Sequence, residues 1–481
     1  MSPLLRAPLF LGLALALSLN APPARGALRP SGRYEGRILI AGQPLGIKVT
    51  FKGDSTDFGA DIDIPQQGAL ALPLVNVRFA SATGRIHFEL PASQGIASFD
   101  GTVVDAAIRG DFSQAGFTGT FELTRASEKP AAPAPAEPPP PYRVEEVKYL
   151  SSGAVLAGTL TRPEGPGPFP AVLLLTGSGP QNRDEEIFGF QPFRAIADRL
   201  TRGGIAVLRS DDRGVGGSTG TFATALTDTF VKDALAGVRF LKSRAGIDPQ
   251  RIGLLGHSEG GLVAAMAAVK QPDIAFLVLL AGPALRGDSL LLLQGQAIGK
   301  LSGATEVELE EAARQQHLTY RVMRGDRDAL PLLRNALYAS LKVRLEKIPE
   351  KNRPTGEAAH RYLEETLDAQ LRQLQQPWFR RFVELDPADY IPRTRCPILA
   401  LFGEKDCQVP ARENREALEQ EFGQAAGGVE RRIEVVPGVN HLFEACTSGA
   451  PSEYASLKNQ FAPGVLDTLA SWIGRVSGPR K

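Results

Sequence analysis

Five short runs constrain this chain more than any other feature: "AVLLLTG" (Ala171 to Gly177), "GIAVLRS" (Gly204 to Ser210), "RIGLLGH" (Arg251 to His257), "AFLVLLAGP" (Ala275 to Pro283) and "PILALFGE" (Pro397 to Glu404). Each is continuously apolar, as strands are when a sheet is covered on both faces. Amphipathic helical patterns such as "QPFRAIADRLTR" and "DTFVKDALAGVRFLKS" lie between them. Alternating strands and helices predict a parallel, doubly wound α/β sheet. From about residue 284 to 384 the rhythm is interrupted by a segment rich in Leu, Ala, Glu, Arg and Gln. It reads as several amphipathic helices. Inserted between "AFLVLLAGP" and "PILALFGE", it would form a cap over the carboxyl edge of the sheet, where open α/β folds bind ligands.

The chain has 481 residues, more than one compact core accommodates. Residues 28–125 carry short alternating segments, "RILIAG", "GIKVTF", "ADIDI", "RIHFEL", "GTVVD" and "FTGTFEL", separated by turn residues. This is the pattern of a small antiparallel all-β domain, closed or nearly so. Its one histidine, His87, falls between Ile86 and Phe88 and reads as a solvent-side strand residue. A proline-rich linker over residues 126–141 lets this unit and residues 142–481 fold separately. That separation makes the β domain a candidate spacing module, or one that contacts an envelope polymer or glycan.

At the amino terminus, Arg6 precedes an apolar run from Ala7 to Leu19 and then small residues and prolines. This is the pattern of a signal peptide over residues 1–27, and implies export to the periplasm or medium. The run is short of the roughly 20 residues that span a bilayer, so no stable membrane span is expected after cleavage. With 54 basic and 53 acidic residues, net charge +1, nothing favours a nucleic-acid partner. Three cysteines leave at least one unpaired; Cys407 and Cys446 could form a bridge, or all three could be free thiols.

Gly-x-Ser-x-Gly is a weak signal in a chain with 50 glycines, and it occurs twice. Ser218, in "SDDRGVGGSTG", lies well beyond its strand with no helix directly following, and reads as a loop residue. Ser258, in "GHSEGG", has "RIGLL" before it and "GLVAAMAAVKQ" after it. Strand, sharp turn and helix form the nucleophile elbow, where the serine backbone is strained and only glycines fit beside it.

A serine hydroxyl needs a base, and the base an orienting acid. Of the five histidines, His87 belongs to the β domain, His257 adjoins the serine and points away, and His317 and His360 fall on the inserted helices. His441, after the strand pattern "RRIEVV", remains as the base. For the acid, "GEKDCQVP" offers Asp406, which reaches farther, and Glu404 as the alternative. Oxyanion donors are expected from the amide of Glu259 and from that of Ser178, with Gly177 the alternative to the latter. No metal or cofactor is required.

From about Tyr142 onward the chain resembles bacterial α/β-hydrolase esterases of the serine-aminopeptidase-like and dienelactone-hydrolase-like group. The resemblance rests on "GSGPQNRDE", "DDRGVGGS", "GHSEGG", "GEKDCQVP" and "NHLF", in that order. Some members also look similar over the N-terminal β domain. The resemblance implies an α/β-hydrolase fold and a serine carboxylesterase, with short-chain acyl esters as small-molecule substrates. An aminopeptidase or acyl-peptide hydrolase is the competing enzyme. A non-catalytic protein that holds an envelope polymer on a hydrolase scaffold is the competing class.

Overall fold

The computed structural model describes residues 29–40, 43–53, 58–64, 69–90, 96–105, 107–114, 117–126, 139–347, 353–374, 376–425 and 427–478. The expected leader, and most of the expected linker, lie outside them.

The first unit is an antiparallel sheet of nine strands: β1 (Gly32–Ile40), β2 (Gln43–Lys52), β3 (Gly59–Ile64), β4 (Ala69–Pro73), β5 (Val75–Ala80), β6 (Arg85–Leu90), β7 (Ala97–Val104), β8 (Ala107–Gln114) and β9 (Phe117–Arg125). They run in the order β4-β3-β2-β1-β9-β8-β7-β6-β5. The end strands β4 and β5 are joined through Leu74, whose N–H donates to Ala60 O of β3 at 2.9 Å, so the sheet curls nearly closed. Alternate residues point inward, and Phe51, Phe88, Phe99, Phe112 and Phe121 fill the interior, with Phe88 and Phe99 stacked at 4.7 Å. The sequence pattern had suggested six of these strands. β4, β5 and β8 escaped it because β5 is largely exposed and β8 carries polar residues and Gly110 in mid-strand.

His87 stands on the outer face of β6, and carboxylates flank it on both sides. Its Nδ1 is 2.8 Å from Asp100 Oδ1, and its Nε2 is 3.2 Å from Glu89 Oε1. Bonds to Asp100 and Glu89 raise its pKa to about 9. A histidine raised on folding adds stability that is fully present below its ordinary 6.5 and fades as pH climbs through 9. An NMR titration of His87 in the whole protein is therefore expected to give a midpoint near 9, with the urea stability difference between wild type and His87→Ala shrinking over that window; a midpoint at or below 6.5 would refute the ion pair.

The second unit is an eight-stranded sheet. In chain order it comprises β10 (Arg143–Ser151), β11 (Ala154–Arg162), β12 (Phe169–Leu175), α1 (Pro192–Arg202), β13 (Ala206–Ser210), α2 (Thr227–Lys242), β14 (Ile247–His257), α3 (Glu259–Lys270) and β15 (Leu277–Leu280). Five helices follow: α4 (Gly287–Leu301), α5 (Glu306–Met323), α6 (Ala329–Lys347), α7 (Gly356–Gln373) and α8 (Pro377–Glu384). The chain returns to the sheet with β16 (Ile398–Gly403), α9 (Ala411–Gln424), β17 (Arg431–Val436) and α10 (Val465–Val476). The strand order is β10-β11-β13-β12-β14-β15-β16-β17.

From β13 across to β17 every pairing is parallel, as the apolar runs require. The sheet is nonetheless mixed: β10 and β11 form an antiparallel hairpin, and β11 runs antiparallel to β13. The parallel sheet expected from sequence is present from β12 to β17; the antiparallel hairpin at this edge was not among the runs that marked it, because the burial of β10 alternates instead of running continuously. The five helices α4–α8 occupy the insertion between β15 and β16. At its root, a methyl group on Gly287 would lie 2.0 Å from Phe382 O, so α4 and α8 meet backbone to backbone. No helix among the described residues is long and apolar enough to cross a membrane.

Candidate active site

β14 ends at His257 and α3 begins at Glu259, so Ser258 occupies a one-residue turn. Its φ is 51° and ψ −123°, a conformation side chains adopt only when the surroundings impose it. The constraint is visible in the glycines. A methyl on Gly256 would lie 2.0 Å from Gly260 O, and one on Gly260 would lie 2.2 Å from Leu175 O. Strand β14, helix α3 and the end of β12 therefore meet at backbone distance, and the serine side chain is pushed out of the turn. Among the described residues its Oγ makes no hydrogen bond.

The other two candidate residues follow strands on the far side of β14. Asp406 comes after β16, and its Oδ1 accepts from the amides of Gln408 and Val409 at 2.8 and 2.9 Å. Its Oδ2 accepts from Nδ1 of His441 at 2.7 Å. With Nδ1 bonded to Asp406, Nε2 is the ring nitrogen left for proton transfer, the arrangement a general base requires. Both side chains are buried, at 0% and 7% exposure. Glu404 instead accepts from the amide of Gly438 at 2.7 Å in an exposed position. The His441 ring lies 4.7 Å, centroid to centroid, from that of His257, the residue before Ser258.

The expected oxyanion donors can be compared directly. Gly177, whose Cα would place a methyl 3.2 Å from Ser258 Cβ, has its N–H committed to Glu185 Oε1 at 2.6 Å. Among the described residues the amide of Ser178 has no acceptor. That of Glu259, first in α3, has no partner within the helix. The Ser178 hydroxyl donates to Glu259 Oε2 at 2.8 Å.

Two carboxylates here were given no role by sequence, that of Glu259, which was named only for its amide, and that of Glu185. Glu259 is buried, and its carboxylate also accepts from Thr227 Oγ1 at 2.6 Å and from Trp378 Nε1 of α8 at 3.0 Å. Burial pushes its pKa up, against the pull of those donors. Glu185 is likewise buried and bonds Nδ1 of His257 at 2.9 Å. The only prior signal was their place in motifs already quoted.

"DDRGVGGS" and "GSGPQNRDE" prove to be two halves of one clamp. Asp211 accepts from Arg183 Nη2 at 2.8 Å and from the amides of Arg183 and Gly217 at 2.9 Å each. Asp212 accepts from Thr176 Oγ1 and from the amide of Gln181, both at 2.9 Å, and burial raises its pKa to about 8. Arg213 binds Asp233. Ser218 Oγ donates to Asp211 O at 2.8 Å and accepts from the Ala157 amide at 2.9 Å, which gives this serine a structural place. A cleft of about 560 Å³, counted to its open mouth, runs past Gly177, Asp212 and Glu259 toward α2. Among the described residues no group of three His, Cys, Asp or Glu could hold a metal ion, and Cys396, Cys407 and Cys446 are free thiols.

A sheet in this strand order, with a strained serine turn after its fifth strand and an Asp–His pair following its seventh and eighth, defines an α/β-hydrolase. The chain belongs to the serine aminopeptidase S33 family of hydrolases, which matches residues 190–444, just over half of its length. The esterase EstD of Thermotoga maritima is 28% identical over 334 residues, covering 69% of this chain and 68% of that protein. Among solved structures, the Pyrococcus furiosus esterase Pf2001 is similar over 70% of this chain and 90% of its own, at 17% identity and a TM-score of 0.41. Est1E of Butyrivibrio proteoclasticus, solved with ferulic acid bound, is similar over 68% and 96%, at 17% identity and a TM-score of 0.38.

Proposed function

We propose that this protein is a serine carboxylesterase acting on short-chain acyl esters, with Ser258, His441 and Asp406 as its triad. The buried Asp406–His441 pair, 2.7 Å apart beside the strained turn of Ser258, carries the reading. Ser258 Oγ attacks the ester carbonyl while Nε2 of His441 takes its proton; the hydroxyl–imidazole bond forms when substrate is bound, as is common for such contacts. The amides of Ser178 and Glu259 receive the oxyanion, in a position where one such donor is worth roughly 2.7 to 4 kcal/mol. Collapse expels the alcohol, protonated by His441, and leaves an acyl-enzyme. Water, deprotonated by the same imidazole, then releases the acid. The similarity to EstD supports ester over amide as the bond cleaved.

The family's description favours a second reading, an aminopeptidase. The two separate on p-nitrophenyl butyrate and aminoacyl p-nitroanilides: turnover of the ester is expected to exceed that of the anilides at least about tenfold and to fall with acyl length. Faster anilide turnover would reverse the assignment. For residues 1–27 we infer a cleaved leader and export; amino-terminal sequencing of the mature protein tests it. Because the interior of the β domain is filled, any envelope or glycan contact belongs to its outer face.

A further inference from the structure

We propose that Glu185 and His257 form a second acid–imidazole pair, held as carboxylate and imidazolium, that positions the oxyanion loop and the backbone of His441 against the nucleophile turn. The inference rests on the catalytic reading above and deepens it.

Hydrogen-bond directions fix the proton on one side of the ring. The carbonyl oxygen of His441 can only accept, so Nε2 of His257, 3.0 Å away, must carry a proton. On the other side of the ring, Nδ1 faces Glu185 Oε1 at 2.9 Å. That oxygen also accepts from the Gly177 amide at 2.6 Å, a second donor that favours the ionised carboxylate and, with it, a proton on Nδ1. With Nδ1 donating to that carboxylate, both ring nitrogens are donors, which is the imidazolium form. Glu185 is 1% exposed, and the pair forms a buried charge couple. Burial pulls the His257 pKa down, but the charge of Glu185, the bond to it, the His441 carbonyl and the charge of Asp406 together leave it raised. The charged or titratable groups facing His257 are thus Glu185, Asp406 and the His441 ring.

The pair touches three separate parts of the site at once. Through Gly177 it holds the loop that presents the Ser178 amide. As the residue before Ser258, His257 belongs to the turn itself. Through the His441 carbonyl it anchors the segment bearing the base. Glu185 itself adopts φ 50°, a conformation costing on the order of 1 kcal/mol for a residue with a side chain. Its loop supports that conformation: the Glu185 amide donates to Asn182 O at 2.9 Å, and Asn182 Oδ1 accepts from the amides of Asp184 and Glu186 at 3.0 and 3.3 Å. This arrangement favours one carboxylate position, so Glu185 is a positioning residue acting through its neighbours.

The test uses the full-length protein with ¹⁵N-labelled histidine, with signals assigned by single His→Gln variants. In wild type at pH 8, His257 is expected to show two imidazolium-type ring nitrogens. In Glu185→Gln it should become an ordinary neutral imidazole at that pH, with kcat on p-nitrophenyl butyrate down about 100-fold and KM within about threefold. Glu185→Asp, charged but one methylene shorter, is expected to recover part of the loss. A neutral His257 in wild type at pH 8, or wild-type kcat in folded Glu185→Gln, overturns the proposal. The charge state is read in the wild-type protein and not in a Glu185 variant, so it is decided even if Ser258→Ala were to retain activity and the esterase reading failed.

Discussion

Ser258→Ala is expected to fold with an unchanged melting temperature, to lose at least ~10³-fold in ester turnover, and to lose all labelling by a fluorophosphonate probe. The magnitude follows from what the hydroxyl supplies. Without it no acyl-enzyme forms, and what remains is attack by water on an ester whose carbonyl is polarised by the amides of Ser178 and Glu259. Stability is unaffected because the strain at this turn resides in the backbone, at φ 51°, and alanine has the same Cβ as serine. The Oγ also makes no bond, among the described residues, that its removal would break. Circular dichroism with a thermal melt establishes the fold, and burst kinetics with p-nitrophenyl butyrate the chemistry. Retained turnover in a clean preparation would place the nucleophile elsewhere.

Gly260→Ala acts on the frame and not on the reacting atoms. Its methyl would lie 2.2 Å from Leu175 O and 2.7 Å from Thr176 O, both backbone atoms at the end of β12. No rotamer change relieves such a contact; either α3 or the start of the oxyanion loop must move. We expect a loss of about 3 kcal/mol or more by urea unfolding, beyond the usual range for an overpacked side chain because the neighbour is main chain. The folded fraction should also react slowly with the fluorophosphonate probe, since the same displacement moves Ser178. Gly474→Ala, where a methyl meets nothing within 4 Å, is the control and should leave both readings intact. A Gly260→Ala protein with wild-type stability would mean that α3 and β12 do not approach as described.

Much of this was legible in sequence because it depends on local spacing. The apolar runs mark the buried strands, and the strand–turn–helix pattern around Ser258 marks the turn. Asp406 separates from Glu404 by reach alone: two residues farther along, the side chain arrives under His441. What the pattern did not convey depends on closure in three dimensions. The β10–β11 hairpin alternates like any half-exposed ribbon and carries no mark of joining the larger sheet. Glu185 is 72 positions from His257, and no periodicity links them. Glu259 was identified for its amide, whereas its carboxylate gathers Ser178, Thr227 and Trp378 from three segments that only the fold brings together. His87 was correctly placed on the solvent side of its strand, but its flanking acids lie on the same strand two residues away and on the adjacent one, visible only once β6 pairs with β7.

The indole of Trp378 bears on how reactants reach the serine. Its N–H ends on a carboxylate sealed from water, and withdrawing it would leave that carboxylate to Ser178 and Thr227, at a cost of roughly 1 kcal/mol. Arg381, on the same helix, is fastened to Asp228 of α2 at 2.6 Å. The short helix α8 is therefore tied to the nucleophile turn at one residue and to α2 at another, and stands as a fixed doorpost beside the serine.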